Sequence, residues 1–318
     1  MKMIRLLMFC SSGITLVSLL CSFADPATSM QGFFPILTAS THDMPPEQVC
    51  IVAERELTEA SGLAISRRRD NAVWVHNDSG DTARLFLIQL DGKTRAVVTL
   101  KDSEPRDWED MCSFQIDGEK WLLIADTGDN GQVRGESGAA PCELLLLKEP
   151  VLNAELAASD EIVKATTDVF ARITVDYPEG PANCESVAVD TERREILLLT
   201  KTDPLNCRLF RLPLSMKPGR QSFRLEQIGS LAVPYATAMD ISEDGKQLAI
   251  VNMFSGALLK RAESESWSEA CGKPAIVLTL PTQPQGETVC FEKGGKSLLL
   301  NSERRGQPLW RVKLPQSP

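Results

Sequence analysis

The segment SGLAISRRRDNAVWVHNDSGD, at residues 61–81, has two apolar runs that flank a charged turn, and the second run ends in polar residues. Short runs rich in Leu and β-branched residues, bounded by turn residues, are typical of strands rather than helices. The same arrangement returns four times along the chain. The first runs of these later copies are EDMCSFQI (109–116), ESVAVD (185–190), TAMDIS (237–242) and ETVCFEK (287–293).

Each copy is followed by a third apolar run, and four of the five are followed by a fourth. Four strands repeating about every 50 residues are typical of a β-propeller, because one four-stranded sheet cannot bury both of its faces alone. The last copy lacks its fourth strand, which CIVAEREL at residues 50–57 could supply to close the ring. We therefore predict an all-β propeller of five four-stranded blades. Six blades is the alternative, with an irregular blade within 131–182.

The N-terminus has the features of an export signal. Lys2 and Arg5 precede an apolar stretch over 6–20, and Ser22-Phe23-Ala24 offers the small side chains that a signal peptidase accepts. The prediction is a signal peptide at 1–24, a flexible segment at 25–48 and a propeller domain at 49–318. The protein is then periplasmic or extracellular. A lipid anchor at Cys21 is the less favoured alternative, and no later stretch is long enough to span a membrane.

Composition narrows the classes of ligand and of site. A net charge of -9 and a pI of about 5.0 argue against nucleic acid, and two histidines argue against a His-rich metal site. Seven cysteines follow the predicted cleavage site. In an oxidising compartment we expect some of them to form disulfides, whereas Cys112 and Cys290 lie in apolar runs and are expected to be buried thiols.

The candidate site follows from the geometry of propellers. The first strand of each blade lines the central channel, so its start and the end of the second strand lie at one mouth. Acidic and amide residues are concentrated at these places, and we predict a ligand-binding or partner-binding site there. The candidate ligand-binding residues are His76, Asn77, Arg84, Asp107, Lys201, Glu287 and Glu303.

The most specific local signal is a duplicated turn, Asn77-Asp78-Ser79-Gly80-Asp81 in the first unit and Asp126-Thr127-Gly128-Asp129-Asn130 in the second. Carboxylates around a Ser/Thr-Gly turn can present several oxygens to a hard cation such as calcium. The alternative is that Asp and Gly only build the turn and cap its backbone amides. The candidate metal ligands are Asp78, Glu109, Asp126, Asp129, Glu185 and Asn252.

The other residues near the mouth do not decide whether the protein is an enzyme. There is no GxSxG motif, and His76 has no serine partner within a motif. Trp108 fits either core packing or a wall for stacking a ring. Lys201 and Arg84 could hold an anionic group.

The strings EASGLAIS (59–66), VWVHNDSGDTARLF (73–86), DWEDM (107–111) and LLIADTGDN (122–130) resemble a group of uncharacterised exported bacterial proteins with TolB-like or phytase-like propellers. This resemblance covers about residues 55–150 and implies the fold without an activity. AMDISEDGKQLAIVNMFSGALLKR (238–261) more distantly resembles a blade of the gluconolactonase/senescence-marker family. That resemblance implies a divalent metal at the mouth, with Glu109 or Glu185 and Asn252 at ligand positions.

The chain departs from the gluconolactonase pattern at the strand ends of the third and fifth units, where Lys201 and Asn301-Ser302-Glu303 stand. Two functional hypotheses follow. The first is a binding propeller that takes a small molecule or protein at its acidic mouth, with calcium as a possible cofactor. The second is a calcium-dependent hydrolase of phosphoesters or lactones.

Overall fold

The structure, a computed structural model, describes residues 33–34, 38–42, 44–136, 138–152, 161–201 and 207–315. The predicted signal peptide lies outside these residues. Strand pairing gives five sheets whose first strands form a closed ring of neighbours. The protein is thus an all-β, five-bladed propeller, as the repeat predicted, and the described residues contain one short helix, α1 (Trp267–Cys271).

Each blade has four antiparallel strands, the first of which lies at the channel. Blade 1 has β4 (Ala60–Ile65), β5 (Ala72–Asn77), β6 (Arg84–Gln89) and β7 (Thr94–Leu100). Blade 2 has β8 (Trp108–Ile116), β9 (Glu119–Asp126), β10 (Cys142–Lys148) and β12 (Ala171–Asp176). Blade 3 has β13 (Cys184–Asp190), β14 (Glu195–Thr200), β15 (Cys207–Pro213) and β17 (Glu226–Leu231).

The last two blades have shorter strands. Blade 4 has β18 (Ala238–Ile241), β19 (Gln247–Val251), β20 (Gly256–Lys260) and β21 (Ala275–Leu278). Blade 5 has β22 (Cys290–Phe291), β23 (Ser297–Leu300), β24 (Pro308–Lys313) and the N-terminal β3 (Glu47–Ile51). A fifth, parallel strand extends the outer edge of the other four blades. These strands are β11 (Val163–Thr167), β16 (Gly219–Arg224), β1 (Phe33–Phe34) and β2 (Thr38–His42), on blades 1 to 4 in that order.

Closure by an N-terminal strand is confirmed, but its predicted bounds were wrong. Residues 47–51 pair with β24, and the chain leaves the sheet after Ile51. Val52 and Leu57 are instead buried in the apolar core between blades 5 and 1, while the amide of Ala53 bonds to the carbonyl of Gly92 at 2.9 Å. The six-bladed alternative is excluded, because the described strands within 131–182 belong to blades 1 and 2.

The apolar core is divided into five clusters, and each cluster fills the space between two adjacent blades. Alternate residues of a strand therefore face different clusters. In β9, Leu122 and Ile124 pack towards blade 1, whereas Leu123 and Ala125 pack towards blade 3. Burial on both faces explains why second strands are continuously apolar rather than alternating.

Two buried acids connect the inner strands across blade boundaries. Asp110 of β8 accepts hydrogen bonds from the amides of Val187, at 2.9 Å, and Met239, at 3.1 Å, so it joins blades 2, 3 and 4. Asp240 of β18 accepts from the amide of Phe291 at 2.8 Å and joins blades 4 and 5. Burial raises the pKa of Asp240 to about 7.

The expected disulfides are not formed, because all seven cysteines after residue 24 are free thiols. Six of the seven are buried in the blades. Cys112 and Cys290 lie in apolar strands, as predicted, and burial raises the pKa of both thiols well above the usual range. Among the residues that the structure describes, no helix is long and apolar enough to cross a membrane.

Candidate functional site

The predicted mouth is built from the starts of the first strands, and three of these starts are irregular. The register between first and second strands shifts at Ser61 in blade 1, at Glu109 and Asp110 in blade 2, and at Glu185 in blade 3. A β-bulge turns the side chain of the extra residue away from the regular alternation. Ser61, Glu109 and Glu185 thereby reach one region, where the Ser61 hydroxyl lies 3.5 Å from the Glu109 carboxylate.

Three carboxylates meet at the boundary between blades 1 and 2. One oxygen each of Asp78, Asp107 and Glu109 lies within 4.8 Å of the others. Asp78 follows β5, Asp107 precedes β8, and Glu109 lies in the bulge. In the described part of the chain no Lys, Arg or His forms a salt bridge with any of the three. They are the acidic centre of the site, and we refer to them as the triad.

The electrostatic effect of this arrangement is a general rise in carboxyl pKa. Burial raises the pKa of Asp78 to about 7, with the charge of Asp107 as the next cause. Burial also raises the pKa of Glu109 well above its usual range, followed by repulsion from Glu185 and Asp78. Negative charge at the triad is therefore costly unless a proton or a cation compensates it.

A short pattern explains why the charge accumulates in blade 2. Three blades have a glutamate in or just before the first strand, preceded two positions earlier by a polar residue: Asn183 before Glu185, Gln285 before Glu287, and Asp107 before Glu109. In blades 3 and 5 the amide donates a hydrogen bond to that glutamate, at 3.0 Å and 3.1 Å. In blade 2 the corresponding residue is a carboxylate, which cannot donate when ionised and adds a second charge.

Two neighbouring acids, Glu185 and Glu287, have a cationic partner. Lys201, at the end of β14, donates to Glu185 in a close ion pair and lies 3.9 Å from Glu287. Glu303 lies beyond Glu287; burial raises its pKa to about 8, and Glu287 and Asp78 contribute to the rise. Within the described residues, the mouth thus contains the triad, the three glutamates Glu185, Glu287 and Glu303, and Lys201.

Gly128 brings the blade 2 turn against the triad. A Cβ atom at this position would overlap Oε1 of Glu109 and the carboxylate of Asp107. Glycine therefore lets the backbone lie beside both carboxylates where they now stand, and any other residue would displace them. The amide of Gly128 also donates to the carbonyl of Asp107 at 3.1 Å.

The two other acids of the same turn have partners within the chain. Asp126 forms a buried ion pair with Arg134 at 2.8 Å and accepts from the amides of Arg106 and Asp107. Asp129 accepts from the amides of Val133 and Arg134, both at 2.9 Å. They hold the loop that follows β9 and lie outside the triad.

Three more candidates support turns in a similar way. Asn77 accepts from the amides of Thr58 and Glu59 and donates to Glu56 and Asp81. Asn252 accepts from the amides of Phe254 and Ser255 and donates to the carbonyl of Pro234 at 2.9 Å. Arg84 donates to Asp81 and Glu56, and its guanidinium lies over the ring of Phe86.

His76 and Trp108 both lie in the interior. The His76 ring has no exposed surface, packs over Gly62, and meets Trp108 edge-on with centroids 5.2 Å apart. Burial lowers the pKa of His76 to about 4, so the ring is neutral at physiological pH. Trp108 is a residue of the core between blades 1 and 2, so it offers no wall for stacking.

Sequence analysis did not single out Ser61, Gly128, Asn183 and Gln285. The repeated pattern of a polar residue two positions before a glutamate was visible in the sequence and could have identified the last two. Gly128 and Ser61 act through close approach across a blade boundary, which no local pattern shows.

No protein-family model matches this chain, and a search of curated proteins finds no match. Among solved structures, it is similar to a gluconolactonase from Xanthomonas campestris, with a TM-score of 0.45 and 11% identity over 88% of this chain and 99% of the other. It is also similar to the PQQ-bound aldose sugar dehydrogenase from Streptomyces coelicolor, with a TM-score of 0.43 and 11% identity over 85% and 98% of the two chains. A chain of a nidogen/laminin complex is similar as well, with a TM-score of 0.43 and 13% identity over 77% of this chain and 73% of the other.

Proposed function

We propose that the channel mouth is a cation-dependent binding site. The triad holds a divalent cation, with calcium as the first candidate, and the cation and the acids around it bind a small molecule or protein. The observation that carries this proposal is Asp107. It stands where blades 3 and 5 have an amide that satisfies the neighbouring glutamate, and it brings a further negative charge beside Glu109.

The donor set favours a hard cation. Carboxylate oxygens are the ligands that calcium and magnesium take, whereas zinc and copper prefer imidazole and thiolate, which the triad lacks. Calcium is favoured over magnesium because it tolerates irregular geometry and takes about six to eight oxygens. Three carboxylates leave coordination positions for water or for a ligand oxygen, which is how a metal at this mouth would help to bind a partner.

The test is a calcium titration of protein from which metal has been stripped. Calcium should raise the melting temperature of the wild type, because it binds only the folded chain. Asp107→Asn should restore the pattern of blades 3 and 5. We expect this variant to be more stable than the wild type without metal, since repulsion is relieved, and to bind calcium at least about tenfold more weakly.

Asp117→Asn is the matched control, because it removes the same charge from an exposed residue whose partner is Arg194. Its calcium response should equal that of the wild type. If Asp107→Asn melts at a lower temperature than the wild type and keeps the full calcium response, the triad is not a cation site. A melting temperature of the wild type that calcium and chelator leave unchanged would contradict the proposal as well.

A calcium-dependent hydrolase is the second candidate, and the position of Lys201 favours it. A cation at the triad would polarise an ester or lactone oxygen, and the ammonium between Glu185 and Glu287 could hold an anionic substrate group. Chromogenic phosphoesters and lactones, assayed with and without calcium, provide the test. Turnover that needs calcium and falls in Lys201→Gln would support a hydrolase; no turnover in the wild type would limit the site to binding.

A further inference from the structure

A separate cavity lies on the outer part of blade 2, facing the segment that links blades 1 and 2. Its volume is about 600 Å³, within the range of small-molecule sites. Three arginines line it: Arg172 of β12, Arg220 of β16, and Arg106 just before β8. From this cavity we infer a second binding site, for a small oxyanion such as a phosphate or carboxylate group.

Two of the three guanidinium groups, those of Arg172 and Arg220, share one buried carboxylate. Glu143 of β10 lies 3.8 Å from Arg172 and 3.5 Å from Arg220. Arg172 and Arg220 are directly opposite each other on the parallel pair β12 and β16. Like charges at opposed positions of a sheet destabilise it, so a second anion between them would be stabilising.

The cavity also offers hydrogen-bond donors that the chain does not use. Within the described residues the Arg106 guanidinium forms no hydrogen bond or ion pair, and Arg220 is 80% exposed with only its distant contact to Glu143. A guanidinium has five N–H donors in a planar fork that matches the oxygens of phosphate and carboxylate. Thr174 lines the same cavity and adds a hydroxyl group.

Arg172 is held in position before any ligand arrives. One of its terminal nitrogens donates to the carbonyl of Asp102 at 2.6 Å and to the hydroxyl of Ser103 at 2.5 Å. Its other terminal nitrogen lies 3.8 Å from the carboxylate of Glu143. Fixing a charged side chain in advance lowers the entropy lost on binding.

The surroundings limit the ligand to a compact anion. The exposed carboxylates of Asp102 and Glu104 also line the cavity and would repel a long polyanion. A group of one or two phosphates, or a small polycarboxylate, meets less of this repulsion. This inference does not depend on the triad, because none of its residues lines the cavity.

The experiment is a calorimetric titration of metal-free protein with inorganic pyrophosphate and, separately, with citrate, at low ionic strength. We expect saturable binding of at least one of them, and the stronger of the two identifies phosphate or carboxylate as the preferred chemistry. Arg220→Gln and Arg172→Gln should each weaken binding about tenfold, since each removes a charge-assisted hydrogen bond. Glu143→Gln should strengthen binding severalfold, because the competing carboxylate is removed.

The pair Glu195 and Arg211 of blade 3 provides matched controls, with 3.6 Å between a buried glutamate and a partly exposed arginine. Arg211→Gln changes the net charge as Arg220→Gln does, and Glu195→Gln changes it as Glu143→Gln does. Both controls should leave binding as in the wild type. Arg220 is exposed, so its variant tests the site even if Arg172→Gln folds poorly. Absence of saturable binding of both anions, or equal weakening by Arg211→Gln and Arg220→Gln, would overturn the inference.

Discussion

The two D-S/T-G-D turns have nearly the same sequence and different roles. In blade 1, Asp78 has no cationic partner among the described residues and belongs to the triad, while Asn77 donates to Asp81 and to the carbonyl of Glu56. In blade 2, Asp126 and Asp129 have partners within the chain, and the residue that touches the triad is Gly128. A repeated string therefore predicts a repeated turn, but each neighbouring blade decides which of its side chains remains available.

The glycines show the same contrast. Gly80 has φ of +80° and no atom within 4 Å of the position that a Cβ would take, so it serves the conformation of the turn. Gly128 serves the close approach of backbone to Asp107 and Glu109. Gly80 is required by its local backbone conformation, and Gly128 by the side chains that lie against it.

The largest expected effect on stability is at Asp126 of the blade 2 turn, whose partner Arg134 is buried. Asp126→Ala leaves the Arg134 guanidinium buried without its carboxylate, and we expect a loss of about 3 kcal/mol or more in the free energy of unfolding. Urea unfolding measures it. Asp81→Ala in blade 1 breaks a more exposed pair with Arg84 and should cost about 1 kcal/mol or less. Equal losses would remove the distinction between the two turns.

The second prediction concerns Asp240, a buried acid whose partners are backbone amides rather than a cation as for Asp126. The pKa of Asp240 is about 7 in the folded chain and 3.8 as an ordinary carboxyl. Between these values the folded state holds a proton that the unfolded state has lost, so stability falls as pH rises through that window, by on the order of a few kcal/mol. Urea unfolding at about pH 5 and pH 8 should show this fall, and Asp240→Asn should reduce it. A variant with the slope of the wild type would show that other groups cause it.

Gly128→Ala gives the third prediction. The added methyl group must displace the carboxylates of Asp107 and Glu109, so we expect calcium to bind about tenfold to a hundredfold more weakly in a titration followed by calorimetry. Circular dichroism should show an intact fold. Retention of wild-type affinity would mean that the close approach at Gly128 does not shape the cation site.

The smallest effect is expected at the other glycine. Gly80→Ala forces an L-residue into the left-handed region and should lower the free energy of unfolding by about 1 kcal/mol. Its calcium affinity should match the wild type, since the methyl group meets no atom. Weaker calcium binding in this variant would show that the turn conformation, and not only the position of Asp78, matters to the site.

Much of the fold was predictable because its cause is local and repeated. The repeated apolar runs with charged turns determined the strands, and their number determined five blades, since each sheet needs two neighbours to bury both faces. The position of the acids at one mouth followed from the same repeat. The bounds of the closing strand were missed because Val52 and Leu57 are apolar for a different reason, namely packing between blades 5 and 1.

The sequence by itself determined which residue types stand at the channel mouth, including the acid at position 107 where two other blades carry an amide. Only the tertiary structure decided which acids lack a partner. Asp126 finds Arg134 within its own blade, while Asp78 crosses a blade boundary to meet Asp107 and Glu109. The physical reason is that a carboxylate's charge is satisfied by whatever lies within a few ångströms, and in a propeller that neighbour comes from a different repeat.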